Sequence, residues 1–169
     1  MPVSVKGAIE FRKAMKKYTP DLAKATQKEL ATLLKPISAK ARGFIPAEAP
    51  LSGWGKAPIN GRFPYYNAKA AKGGVGYKTT PSKPNREGFR SLARIQNASA
   101  SGAIYETAGR KNPGGNFSPR LPGKLVGNKK MAGRGIFRAW SEDNGKTNAA
   151  VIKALVSAKD KFNSAVGYN

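Results

Sequence analysis

Acidic side chains are scarce in this chain, so each invites the question of what it does. Glu142 and Asp143 are adjacent. Two carboxylates hold Mg²⁺, or divide acid and base work, only when both point into one site. Neighbours on a helix point apart, so this pair reads as a polar patch near the start of the last helical segment, where negative charge suits the helix dipole. Glu106 lies close to Arg110-Lys111, and a local ion pair is its expected role. Gly73-Gly74-Val75-Gly76 is glycine-rich, but it leads into a strand pattern and so lacks the geometry that seats a phosphate at a helix N-terminus. The chain has no His and no Cys. That excludes a Ser-His-Asp triad, a cysteine nucleophile, thiolate zinc sites and disulfides. No residue pattern marks a catalytic, cofactor-binding or metal site. The expected class is therefore a non-enzymatic protein without cofactors.

The remaining chemistry is cationic. Lys and Arg total 31 against 9 Asp and Glu, a net charge of +22. Between residues 49 and 86 there is no acid but seven cations, and between 107 and 141 there is none but eight, Arg110, Lys111, Arg120, Lys124, Lys129, Lys130, Arg134 and Arg138. Such a surface attracts phosphate or an acidic protein face without regard to sequence. Trp54, Phe63, Tyr65 and Tyr66 are interleaved with cations of the first stretch. Aromatics so placed stack on bases, anchor a protein interface, or tuck a long loop onto a core. A free nucleic-acid-binding protein is one reading of these features. A long helix with a strong apolar face, and the lack of a recognised binding motif, argue against it.

These residues must be positioned by a modest core, since 19 Gly and 12 Pro accompany an apolar fraction of 40%. The length of 169 residues fits a single α+β domain over 1–169, with 46–73 and 108–133 as extended loops within it. Val3 and Val5 suit an edge strand, and Ala8, Ile9, Phe11, Ala14 and Met15 follow at helical spacing. Thr19-Pro20-Asp21 signals the start of a helix over about residues 20–42, with Thr19 as the cap and Pro36 as an internal kink. Residues 74–80, 91–98 and 103–107 read as short strands of a small antiparallel sheet covered by the long helix. Residues 108–133 read as a mobile loop. Ile136, Phe137 and Trp140 open the last helical region, which restarts at a Thr147-Asn148 cap and ends at Gly167. Leu30, Leu33, Leu34, Ile37, Ile95, Ile104, Tyr105, Phe137, Trp140, Ile152 and Leu155 are the expected core.

Four segments carry a resemblance: Ile45-Pro46 with Pro50-Leu51-Ser52-Gly53-Trp54, Thr80-Pro81-Ser82-Lys83-Pro84-Asn85-Arg86, Ala103-Ile104-Tyr105-Glu106-Thr107-Ala108-Gly109-Arg110-Lys111-Asn112, and Ile136-Phe137-Arg138-Ala139-Trp140. In this order the chain resembles the tail-completion or head-to-tail-connector (neck) proteins of long-tailed bacteriophages (siphophages), most of all those of actinobacterial phages. The Ala-Ile-Tyr-Glu-Thr-Ala-Gly block is the most specific part. The resemblance implies an α+β fold in which a long N-terminal helix and a C-terminal helix pack on the sheet, with Tyr105-Glu106 on a strand. It implies a virion structural protein, assembled in the host cytoplasm, that forms a ring of six and joins the tail to the DNA-filled head. Tail-terminator and head-closure rings of the same neck share size and fold. Its implied partners are copies of itself, neighbouring neck and tail-tube proteins, and the end of the packaged DNA, with no membrane and no small-molecule substrate. The residues expected at these contacts are Trp54, Phe63, Tyr65, Tyr66, Arg110, Lys111, Phe117, Arg120, Lys129 and Lys130.

Overall fold

The computed structural model describes residues 7–56, 64–111, 116–128 and 131–167. The fold is α+β. Its helices are α1 (Ala8–Tyr18), α2 (Pro20–Gly43), α3 (Ala68–Gly74), α4 (Ala100–Thr107), α5 (Ile136–Glu142) and α6 (Lys146–Val166). Strands β1 (Val75–Lys78) and β2 (Arg94–Asn97) pair in a two-stranded antiparallel sheet. Single 3-10 turns occur at Ser52–Trp54 and Ser118–Arg120. Val3, Val5, Phe63, Lys129 and Lys130 lie outside the described residues.

The chain divides into two compact units. The first comprises Met1–Lys35, Tyr77–Arg94 and Gly145–Asn169. Here α1 packs on α6, with Phe11 and Phe162 edge to face at 5.6 Å between ring centroids. Met15, Leu30, Leu34, Ala154 and Ala158 are buried. Arg12 is buried with them, its guanidinium bonded to the Thr79 carbonyl and to Gln27 Oε1 (3.3 Å). Burial holds its pKa below the usual arginine value. Thr19 does its work backward: its hydroxyl donates to the Met15 carbonyl (3.3 Å), closing α1, while its own carbonyl accepts from Ala23.

The second unit comprises Pro36–Gly76 and Ile95–Asn144. Its core gathers Ile37, Ala41, Ile45, Trp54, Tyr66, Ala71, Val75, Tyr105, Leu121 and Ala139. Contacts between α3 and α4 are organised by Asn97, which donates to the Ala71 carbonyl (3.0 Å) and accepts from the amide and hydroxyl of Ser99. The Ser99 hydroxyl in turn accepts from the Gly102 amide and caps α4.

Several expectations are corrected. Residues 103–107 form the end of α4, not a strand. Ile104 and Tyr105 favour a strand locally, but the Ser99 cap and the small residues of 100–103 start a helix ahead of them. Residues 46–73 are not loop throughout, because Asn67 caps α3 by accepting from the Ala70 amide (2.8 Å). Helix α6 begins at Lys146 after Gly145 in left-handed conformation, and Thr147, expected as a cap, is buried one position further in. Glu142 and Asp143 stand at the C-terminal end of α5 rather than the start of a helix. Ile152, expected in the core, is exposed.

Candidate interaction surface

The cationic segment after α4 is tied down by the residues on either side of it. Tyr105 is buried and donates its hydroxyl to the Pro122 carbonyl (2.9 Å), with the Phe44 carbonyl at 3.3 Å. Burial raises its pKa above the usual tyrosine value. Glu106 follows it on α4. The Glu106 carboxylate accepts from the backbone amides of Gly135 (2.7 Å), Ile136 (3.1 Å) and Phe137 (3.0 Å), the first amides of α5. Those amides have no partner within the helix, and negative charge suits that end of the dipole. The expected ion pair is thus replaced by a remote helix cap.

Arg134 closes the other side. It is buried, and its guanidinium donates to the carbonyls of Ala108 (2.6 Å), Tyr105 (3.2 Å) and Ser118 (3.3 Å). The planar fork of arginine suits three carbonyls in different segments better than an ammonium would. Burial lowers its pKa, opposed by Tyr105 and Glu106. Arg110 donates to the Ala132 carbonyl and lies 4.9 Å over the Phe137 ring. Burial lowers its pKa too, opposed by Glu106. Val126 and Gly133 exchange two backbone hydrogen bonds (3.0 and 2.9 Å), turning the segment back toward α5.

Two glycines are required by this packing. Gly109 has φ +88°, and a Cβ there would lie 2.0 Å from Ser118 Oγ. A Cβ on Gly133 would lie 1.9 Å from Glu106 Oε1. The described residues of 108–133 are thus bonded to side chains on both flanks.

The expected contact residues separate into two groups. Trp54 and Tyr66 are buried, with Trp54 Nε1 donating to the Pro64 carbonyl (2.8 Å) and the Tyr66 hydroxyl to the Pro46 carbonyl (2.7 Å). Phe117 stacks edge-on against Trp54 at 5.0 Å. Burial raises the Tyr66 pKa to about 12, with Tyr105 adding to it. These three aromatics pack the loops rather than face outward, and Arg110 is half-buried in the clasp. Tyr65, Lys111 and Arg120 are exposed as a contact surface requires. Sequence reasoning counted Arg134 only as one cation of the basic stretch and gave it no site role, although it is the last cation before the glycine that opens α5. Arg138 also turns inward, 4.0 Å over the Phe44 ring, and shares Glu142 with Lys40, each at 2.9 Å. Those two hydrogen bonds hold the Glu142 carboxyl below its usual pKa.

Among the described residues no cluster of three acids is placed to hold a metal ion, and no helix is long and apolar enough to cross a membrane. Comparison of the chain with models of protein families, with curated proteins and with solved structures returns no match.

Proposed function

We propose that this chain is a virion structural protein of a long-tailed phage neck, which assembles as a ring and joins the tail to the filled head through protein contacts. The observation that carries this reading is where the resemblance falls. Tyr105, Glu106 and Ala108, from the block most specific to the neck proteins, and Arg110 directly after it all bind the segment between residues 118 and 137. A block whose side chains bond to several points along a long basic segment suits a protein that works by presenting the exposed residues of that segment to partners. Segments ordered in advance lose less entropy on assembly. Six positively charged copies in a ring repel one another, so the reading requires acidic faces or DNA beside it.

The test is electron microscopy of particles assembled without this protein. DNA-filled heads and full-length tails that fail to join are expected. Tails of uncontrolled length would move the protein to a terminator role, and normal virions would overturn a structural role.

A further inference from the structure

The described cations of the clasped segment divide by placement. Arg110, Arg134 and Arg138 face inward onto carbonyls and rings, while Lys111, Arg120 and Lys124 are exposed. Each exposed cation lies within two residues of an anchor: Lys111 beside Arg110, Arg120 near Ser118, and Lys124 near Pro122. The acids nearest in sequence are engaged elsewhere, Glu106 by three amides and Glu142 by Lys40 and Arg138. The aromatic side chain of the segment, Phe117, is turned onto Trp54. What remains outside is Asn116, Pro119, Pro122, Gly123, Gly127 and Asn128, with Met131 as the exposed apolar side chain.

We infer that Lys111, Arg120 and Lys124 form a docking surface for the phosphate backbone of duplex nucleic acid, bound without regard to base sequence. A protein interface draws its affinity from aromatic and apolar anchors in desolvated pockets, and this surface has turned its aromatic inward. Single strands are held by stacking on exposed rings, which this segment does not offer. Phosphates need cations on a backbone that can approach closely, and small polar, Gly and Pro residues between anchored cations supply that. The inference rests on the same surface as the neck reading, which already calls for acidic faces or DNA beside the ring, but its test uses the protein alone in solution and can fail without that reading failing.

The experiment is fluorescence anisotropy of the purified full chain with two duplexes of unrelated sequence over a range of salt concentrations. The wild type binds both duplexes alike. In the triple variant Lys111→Gln, Arg120→Gln, Lys124→Gln the slope of log K against log salt falls by roughly 2.7, about 0.9 for each phosphate no longer neutralised, and affinity drops about tenfold or more. A control variant, Lys13→Gln, Lys16→Gln, Lys17→Gln, removes equal charge from exposed positions of α1 and largely keeps the affinity. Thermal melts of both variants matching the wild type show that folding is retained. Equal losses in the two variants would overturn the inference in favour of net charge alone. Preference for single strands, or binding to poly-glutamate but not to duplex, would overturn it in favour of a stacking site or an acidic protein face.

Discussion

The carboxylate of Glu106 receives the amide of Gly135 at 2.7 Å across 29 residues of chain. With the amides of Ile136 and Phe137 it forms a three-bond cap, supplied by one helix to the start of another. Charge-assisted bonds of this kind are the stronger ones, and a buried amide left without its acceptor costs about 1–3 kcal/mol. Glu106→Ala is expected to lower stability by about 3 kcal/mol or more, and Glu106→Gln, which keeps the shape and one oxygen, by a smaller amount. Urea denaturation checks the order. A glutamine variant as stable as the wild type would show that the charge contributes nothing.

The glycine requirements follow from the same packing. Gly133→Ala pushes a methyl into the Glu106 carboxylate, and Gly109→Ala combines a positive φ with the approach of Ser118. Each is expected to lower stability by more than about 1 kcal/mol. Gly73 is a control: it lies in α3 with nothing within 4 Å of a Cβ, so Gly73→Ala raises stability by about 0.5 kcal/mol. Thermal melts of the three variants separate the cases.

Arg134 holds the segment after α4 through three carbonyls. Arg134→Ala strips those carbonyls of a donor, and Arg134→Lys cannot reach them all from one point charge. Both variants are expected to lose about 2–3 kcal/mol. Hydrogen exchange should rise first at Leu121 and Val126, and trypsin should cut faster after Arg120 and Lys124. Full rescue by lysine would show that charge alone, and not the fork, holds the segment.

Alkaline titration reads the buried tyrosines. Tyrosine in an unfolded chain ionises near pH 10, about the ordinary value. Folded Tyr66 keeps its proton to about 12. Between these values the unfolded state has released a proton that the folded state retains. Stability attributable to Tyr66 is therefore complete below about pH 10 and is lost as pH rises through about 12. Absorbance at alkaline pH should show Tyr66 and Tyr105 ionising above the ordinary tyrosine range, because burial disfavours the charged form of each. Tyr66→Phe weakens this alkaline loss, and at neutral pH it costs about 1 kcal/mol for the bond to Pro46.

What could be read without the fold was whatever depends on spacing along the chain. Pro20 at a helix start, the apolar stripe through Leu30, Leu34 and Ile37, the breaks around residues 143–145 and at Gly167, and the strand near 75–78 follow from local periodicity and backbone preference, whereas the strand at 94–97 lies in a stretch whose alternation is weak. Helix α4 was not legible in this way. Ile104 and Tyr105 have strand propensity, while the cap that decides the matter is Ser99, held by Asn97 against α3.

The amino-acid sequence by itself determined the chain's strong positive charge, its lack of thiol and imidazole chemistry, and the order of most of its helices, because these depend on composition and on neighbours a few residues apart. Only the tertiary structure decided which cations serve the fold and which face outward. Arg134 and Lys124 are equivalent as cations of one basic stretch. One is buried against the carbonyls of Tyr105 and Ala108, and the other is exposed. That difference arises from contacts between residues tens of positions apart. The same is true of Glu106, whose partners are backbone amides that carry no side-chain signature.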